Sequence, residues 1–175
     1  SQIRVIAPTP GGAFGLKMHG HPEEVLVAVL ARELGRPVKW VESRGECMLA
    51  TGKEQVHNFE AVHDAAGHVL AVRSRMVADH GAAAAGPGWG MAFVGALCFP
   101  SGYAVPVVDV DYTVVVTNKP PWAGARPFGK EAPALVMERI MDRVAHATGI
   151  DPLEIRRRNW VRAEQFPYAT ATGLE

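Results

Sequence analysis

Cysteine is scarce in this chain, and neither sign of charge is in surplus. Its 175 residues include two cysteines, Cys47 and Cys98, which are too few for a disulfide framework, so we expect a reducing compartment, the cytoplasm. Lysine plus arginine and aspartate plus glutamate each total 18, which gives a formal net charge of zero. Nucleic-acid binders and polybasic membrane-surface modules need a basic surplus to attract phosphate. The composition therefore argues against both classes, and we expect no nucleic-acid partner.

Charged side chains are also absent from a long internal stretch, residues 81–108. The stretch exceeds the length that a bilayer requires, but Pro87, Pro100 and Pro106, together with several glycines, interrupt any continuous helix. The start of the chain lacks the architecture of a signal peptide. We therefore expect no membrane span, and we interpret the stretch as a buried connection around a ligand or a subunit contact.

The chain does have the composition of a folded domain, with 48% hydrophobic and 21% charged residues. Alternation of apolar and polar residues predicts a hairpin with strands over 56–64 and 69–79, and a half-buried antiparallel strand over 108–116. Short apolar runs predict two further strands at 3–7 and 37–41. These patterns predict mainly antiparallel, short sheets.

Three helices are predicted from their terminal residues and apolar spacing. The first begins at Pro22 and ends at Gly35, the second covers 131–146, and the third begins after the N-cap Asp151. The residues expected to face the core are Leu26, Val27, Leu30 and Leu34 in the first helix and Leu135, Val136, Ile140 and Val144 in the second. The fold class is therefore α+β, mixed sheets packed with helices, in a single domain over 1–175 with a soft boundary near 118–130.

A glycine-rich turn, residues 11–15, follows the first predicted strand. Successive glycines let backbone N–H groups face a concavity, so the turn could bind an anionic ligand. The dinucleotide fingerprint fails because Pro10 stands where a glycine is needed, and the P-loop fails because no Ser or Thr follows Lys17. The simpler alternative is a tight strand-to-helix turn with Phe14 in the core.

A second candidate loop, residues 120–131, precedes a predicted helix. Arg126 stands just before that helix, where anions are already favoured, and its guanidinium could hold a phosphate or a carboxylate. The alternative is a surface arginine that satisfies loop carbonyl groups.

The other candidate residues give weaker indications of a functional site. His19 and His21 could share a zinc ion, but no third ligand is near in sequence, so we expect no metal site. Cys98 is expected to be a small buried hydrophobe rather than a nucleophile. The run 156–158, three arginines flanked by acidic residues, is expected to be a solvated helix face.

Several motifs, in this order along nearly the whole chain, resemble the molybdenum-binding subunit of the xanthine dehydrogenase/aldehyde oxidase family. They are residues 11–17, 22–24, 34–42, 117–119, Arg126-x-Phe128-Gly129, 138–142 and 149–159. The segment 164–168 is similar to the branch that includes carbon monoxide dehydrogenase large subunits. The resemblance implies an α+β part of a larger molybdopterin-binding subunit.

The resemblance also implies roles for individual residues. It assigns cofactor contact to the glycine turn and the second loop, and a substrate pocket to residues next to them. The cofactor-binding residues are Gly12, Ala13, Phe14, Gly15 and Arg126, and the pocket residues are Phe128, Pro127 and Met18. No residue is expected to ligate the metal directly, and the general-base glutamate is expected outside this segment.

The chain departs from the family pattern at positions that bear on the substrate. Ala13 replaces a glycine, and Pro127 stands where carbon monoxide dehydrogenases have their copper-binding cysteine, which disfavours oxidation of carbon monoxide. Met18 and Val94 stand near where xanthine dehydrogenases hold purines with charged residues. An aldehyde or an aromatic nitrogen heterocycle therefore fits better than a purine.

The resemblance further implies a molybdenum–molybdopterin cofactor, in the cytosine dinucleotide form, and a multisubunit oxidoreductase. Iron–sulfur clusters (2Fe-2S) and FAD would lie on partner subunits, and the remainder of the molybdenum subunit would be a further partner. We expect this chain to be an internal fragment that is inactive alone. The alternative is a non-catalytic assembly module that keeps the fold without the cofactor.

Overall fold

The computed structural model describes residues 3–9, 11–18, 20–50, 54–82, 88–122, 124 and 126–174. Pro10, His19 and Pro87, on which parts of the sequence interpretation depend, lie outside the described residues. In chain order the elements are α1 (Pro22–Leu34), α2 (Arg44–Ala50), β1 (Glu54–His63), β2 (Val69–Asp79), α3 (Gly88–Leu97), β3 (Val107–Val115), α4 (Glu131–Thr148) and α5 (Pro152–Asn159), with short 3-10 helices at Leu16–Met18 and Ala163–Gln165.

The three strands form one mixed sheet in the order β1-β2-β3. β1 and β2 are the predicted antiparallel hairpin, whereas β3 runs parallel to β2, from Ala71 opposite Val107 to Asp79 opposite Val115. The α+β class is confirmed, but the antiparallel pairing predicted for 108–116 is wrong. Alternation of side chains reports which face of a strand is buried and not the direction of its neighbour. The long connection through α3 provides the crossover that a parallel pair needs.

Two clusters of buried side chains stabilise this part of the chain. The first lies between the sheet, α4 and α5 and consists of Val69, Val72, Phe99, Tyr103, Val105, Val136, Met137, Ile140, Met141, Val144, Ala145 and Ile155. The second lies against α3 and consists of Met76, Ala78, Met91, Ala92 and Trp122. The burial predicted for α4 is confirmed for Val136, Ile140 and Val144, but Leu135 is 65% exposed, because it lies one residue round the helix from that face.

The last helix has the predicted N-cap, since the Asp151 carboxylate accepts hydrogen bonds from the backbone N–H groups of Leu153 and Glu154. The interpretation of the arginine run as a solvated face is wrong for Arg156. Its guanidinium forms ion pairs with Glu138 (2.7 Å) and Asp142 (2.9 Å) on α4. These ion pairs join α5 to α4.

The region before β1 folds differently. The predicted strands at 3–7 and 37–41 are absent, and no described residue between 3 and 50 is buried. Helix α1 has its predicted bounds and ends at Gly35 in the left-handed conformation, but its apolar face is exposed, Leu26 and Leu34 by about half. Neither segment joins the sheet that the described residues form, so neither takes part in the ladder of backbone hydrogen bonds that a strand requires.

The uncharged stretch contains α3, a ten-residue helix that tolerates Gly90 and Gly95 because its apolar side chains are buried against the sheet. Helix α3 covers only Gly88–Leu97 and stops before Pro100, so no described helix runs through the whole stretch. None of the helices in the described parts of the chain combines the length and apolar character needed to cross a bilayer.

Candidate functional site

The structure brings the two candidate loops into contact. The backbone N–H of Arg126 donates a hydrogen bond to the carbonyl oxygen of Phe14 (2.7 Å). The Phe14 turn (residues 11–15) and the Arg126 turn (residues 126–130) therefore lie side by side, although they are far apart in sequence. This contact joins the region before β1 to the region that contains the sheet.

Both turns use the same Phe-Gly dipeptide in the same backbone conformation. Phe14 and Gly15 have φ values of 50° and 99°, and Phe128 and Gly129 have values of 66° and 92°. A phenylalanine at positive φ costs free energy, because its Cβ approaches the backbone closely, and such residues persist where the surroundings hold them. Strained residues of this kind cluster at binding sites, so the pair of turns is the main candidate site.

The two phenylalanine rings lie in different surroundings. The Phe14 ring is 74% exposed, so the simpler interpretation that placed it in the core is wrong. The ring lies over Gly12, where any Cβ would overlap with it. The Phe128 ring is half-buried and packs against the second core cluster. One ring is thus available to a ligand or a further segment, and the other anchors its turn.

Helix α3 packs directly against the backbone of the Arg126 turn. A Cβ on Gly129 would overlap with the backbone carbonyl of Met91, and a Cβ on Gly95 would lie 3.0 Å from the carbonyl oxygen of Gly129. Only glycine allows backbones to approach this closely. The turn that carries Arg126 is therefore seated firmly on the domain.

Several hydrogen-bond donors at the two turns, apart from the N–H of Arg126, have no partner among the described residues. The Arg126 guanidinium has no ion pair or hydrogen bond to any of them, and neither do the backbone N–H groups of Ala13, Phe14 and Gly15. The alternative in which Arg126 satisfies loop carbonyl groups with its side chain has no support there. A guanidinium on one turn and backbone N–H groups on the adjacent turn suit a ligand rich in anionic oxygen.

The remaining predicted residues are placed as follows. Pro127 is exposed beside Arg126, and Met18 ends the short helix that follows the Phe14 turn, its side chain being outside the described part. His21 Nε2 lies 3.1 Å from the carbonyl oxygen of Leu16. Cys98 is half-buried with a free thiol, and not fully buried as expected. Among the described residues, no three His, Cys, Asp or Glu side chains are grouped as a metal site would require.

Sequence reasoning missed Asp79, at the end of β2. Its carboxylate accepts hydrogen bonds from the Thr117 hydroxyl (2.7 Å) and the Gly81 backbone N–H (2.8 Å), and Lys119 Nζ lies 3.0 Å away. These donors, Thr117 first, lower the pKa of the Asp79 carboxyl from 3.8 to about 2. The only signal in the sequence was the motif 117–119, which identified the partners but not the acid.

Comparison with known proteins gives consistent matches along the chain. The family model for the molybdopterin cofactor-binding domain matches residues 1–160. The nicotine 6-hydroxylase large subunit of Paenarthrobacter nicotinovorans is 37% identical over 99% of this chain and 22% of the relative. The carbon monoxide dehydrogenase large chain of Hydrogenophaga pseudoflava is 36% identical over 100% of this chain and 22% of the relative.

A solved structure matches the fold as well as the sequence. Quinoline 2-oxidoreductase from Pseudomonas putida 86 superimposes with a TM-score of 0.87 at 39% identity, covering 95% of this chain and 22% of that protein. The chain thus spans about a fifth of the length of the relatives that it matches.

Proposed function

The chain belongs to the molybdopterin cofactor-binding domain family, and from this premise we propose that it is the segment of a molybdenum hydroxylase subunit that holds the cofactor. The observation that carries the proposal is the contact between Arg126 and Phe14, which makes one site of two turns. Most of the longer subunit would lie outside this segment, since the chain spans about a fifth of its relatives.

The donor set fits such a cofactor. A molybdopterin is anionic and rich in oxygen, and the two turns offer one unpaired guanidinium and a row of backbone N–H groups. The exposed Phe14 ring, 74% accessible, offers a surface on which a flat ring system could pack. We propose that Gly12, Ala13, Phe14, Gly15 and Arg126 hold the cofactor and that Phe128, Pro127 and Met18 border the substrate. None of these side chains is proposed as a metal ligand.

When bound, the cofactor would supply a two-electron oxidation that adds oxygen from water to a carbon atom. This chain's residues would bind and orient the cofactor, because the Arg126 turn is held in place by its packing against α3 before the cofactor binds. The general base would be a glutamate outside this segment, and we therefore propose that the segment alone has no activity.

We propose an aromatic nitrogen heterocycle or an aldehyde as the substrate. Nicotine 6-hydroxylase and quinoline 2-oxidoreductase are both named for nitrogen heterocycles. Pro127 offers no thiolate for a copper ion, and Val94 on α3 offers no charge to hold a purine. A neutral, flat substrate is consistent with these side chains.

The partners and setting follow from the same family membership. We propose the cytosine dinucleotide form of the cofactor, and partner subunits that carry 2Fe-2S clusters and FAD, since the relatives include large subunits of complexes. The exposed apolar face of α1 would pack against the remainder of the molybdenum subunit. Two free cysteines are consistent with the cytoplasm as the compartment.

The test uses the complete subunit with its partners and compares Arg126→Ala with Arg143→Ala, an arginine on α4 that stacks on Phe59. We expect wild type and Arg143→Ala to contain stoichiometric molybdenum and pterin and to oxidise a heterocycle or an aldehyde. Arg126→Ala should retain at least about tenfold less cofactor than wild type. A wild-type complex without molybdenum would instead support the non-catalytic module.

A further inference from the structure

Asp79 lies where β2 ends, and it connects three parts of the chain. Its carboxylate accepts hydrogen bonds from Thr117 and Gly81, and Lys119 bridges it to Glu54 on β1. The Asp79 side chain is only 11% exposed, whereas those of Lys119 and Glu54 are about half exposed. The hydrogen bonds to Thr117 and Gly81 are therefore the part of the cluster that is shielded from water. We call the four residues Asp79, Gly81, Thr117 and Lys119 the Asp79 anchor.

Next to the anchor, the pairing of β2 with β3 continues beyond the ends of both strands. Four backbone hydrogen bonds of 2.8–2.9 Å join residues 80–82 to residues 115–122. They run from His80 N to Val115 O, from Thr117 N to Gly81 O, from Ala82 N to Lys119 O and from Trp122 N to His80 O. Gly81 is at positive φ, and a Cβ there would overlap with the Pro120 carbonyl, so the two segments are in direct contact.

The anchored segment leads directly to Arg126. Trp122 is 2% exposed in the second core cluster, and Phe128 packs against the same cluster. Arg126 thus lies between two fixed points, with its own N–H bonded to Phe14. Its place beside the Phe14 turn therefore depends on how residues 117–122 and Phe128 are held.

We infer that Asp79 is a positioning residue, which holds residues 117–122 in place and so presents Arg126, four residues further on, beside the Phe14 turn. The inference rests on the proposed function, because it takes the cofactor to be the anion that Arg126 binds. Asp79 itself would not contact the cofactor. It acts through Thr117 and Gly81, the two donors that its carboxylate orients.

The test uses the complete subunit with its partners and five variants. Asp79→Ala removes the acceptor, and Asp79→Asn keeps one acceptor oxygen without the charge. Thr117→Val removes the donor hydroxyl, whereas Thr117→Ser keeps it. Asp109→Asn is the matched control, because Asp109 also pairs with two cations, Arg73 and Arg75, on the same sheet. It lies six residues before the end of β3, about 20 Å from the anchor along the strand.

Two readouts are measured: hydrogen exchange of peptides covering 117–126 in the cofactor-free protein, and the molybdenum and pterin that remain after gel filtration. We expect Asp79→Ala and Thr117→Val to exchange about tenfold faster in this segment and to retain about tenfold less cofactor. Thr117→Ser should restore both readouts to wild-type values. Asp79→Asn should lie between wild type and Asp79→Ala, and Asp109→Asn should match wild type.

The outcomes separate the two proposals. Unchanged exchange over 117–126 in both Asp79→Ala and Thr117→Val would overturn the positioning role, whatever Arg126→Ala does. Faster exchange in these variants, reversed by Thr117→Ser, would support it even if Arg126→Ala kept its cofactor, and in that case the proposed cofactor contact would fail. If Asp79→Ala does not fold, the Thr117 pair decides the question, since it removes a single hydroxyl.

Discussion

The region before β1 and the region from β1 onwards are built on different principles. Residues 54–174 contain both core clusters, and α4 buries seven of its side chains. In residues 3–50, helices α1 and α2 form with no buried side chain among those described. The first helices are specified by local signals, such as Pro22 at the start of α1 and Gly35 at its end, and the later ones by packing as well.

The difference shows where the candidate site lies. The Phe14 turn belongs to the region without a core, and the Arg126 turn belongs to the region with one. A binding site at such a boundary has one rigid half and one half that a ligand or further chain can complete. The predictions below test this contrast in the 175-residue chain with matched substitutions in the two regions.

The largest contrast is expected between two methionines. Met137 on α4 is fully buried, whereas Met48 on α2 is 68% exposed. Met137→Ala should lower the free energy of unfolding by about 2–5 kcal/mol, because it removes buried apolar surface and leaves a cavity. Met48→Ala should change it by less than about 0.5 kcal/mol. Urea denaturation measures both, and equal losses would contradict the contrast.

Two glycines at positive φ provide the next comparison. A Cβ at Gly129 would overlap with the Met91 backbone, whereas Gly35, at the end of α1, has nothing within 4 Å. Gly35→Ala should cost about 1–2 kcal/mol of unfolding free energy from backbone strain alone. Gly129→Ala should cost more, about 3 kcal/mol, since strain and overlap add. Thermal unfolding of both variants checks the order, and a larger loss for Gly35→Ala would reverse it.

Tyr103 gives the region with the core a dependence on alkaline pH. Burial, and then its hydrogen bond to Glu138 (2.6 Å), raise the pKa of its phenol from 10.0 to about 12. The folded state therefore favours the neutral phenol, and the stability that this provides is complete below pH 10 and is lost as the pH rises towards 12.

Unfolding free energy measured against pH should accordingly fall above pH 10 in wild type and fall less steeply in Tyr103→Phe. Absorbance titration of the phenol is the second measurement. Identical slopes for the two proteins would show that the phenol ionises as readily in the folded chain as in the unfolded one.

The smallest effect is expected for an exposed ion pair in the region without a core. Lys17 Nζ lies 2.8 Å from Glu42, and their side chains are 47% and 24% exposed. Lys17→Gln should change the unfolding free energy by less than about 1 kcal/mol, and the change should vanish at high salt. A double-mutant cycle with Glu42→Gln measures the coupling, and a salt-independent coupling would indicate a buried contact instead.

Local signals were enough to predict much of the fold. The hairpin, the start of α1, the Asp151 cap and most of the buried face of α4 follow from residues close together in the chain. The Phe14 and Arg126 turns were also identified as candidate anion-binding loops from their own residues. Glycines indicate a turn whose N–H groups are accessible, and an arginine just before a helix indicates a site that favours anions. Asp79 could not be found in this way, since one acidic residue at the end of a strand looks like any other.

By itself, then, the sequence determined the type of most elements, the family and the two turns, because each depends on neighbouring residues. The tertiary structure decided the parallel pairing of β3, the exposure of the α1 face, and the contact between Arg126 and Phe14. Each of these depends on which distant segments meet. That is set by the burial of apolar surface across the whole domain and by backbone groups that must find partners, and no short stretch of residues contains this information.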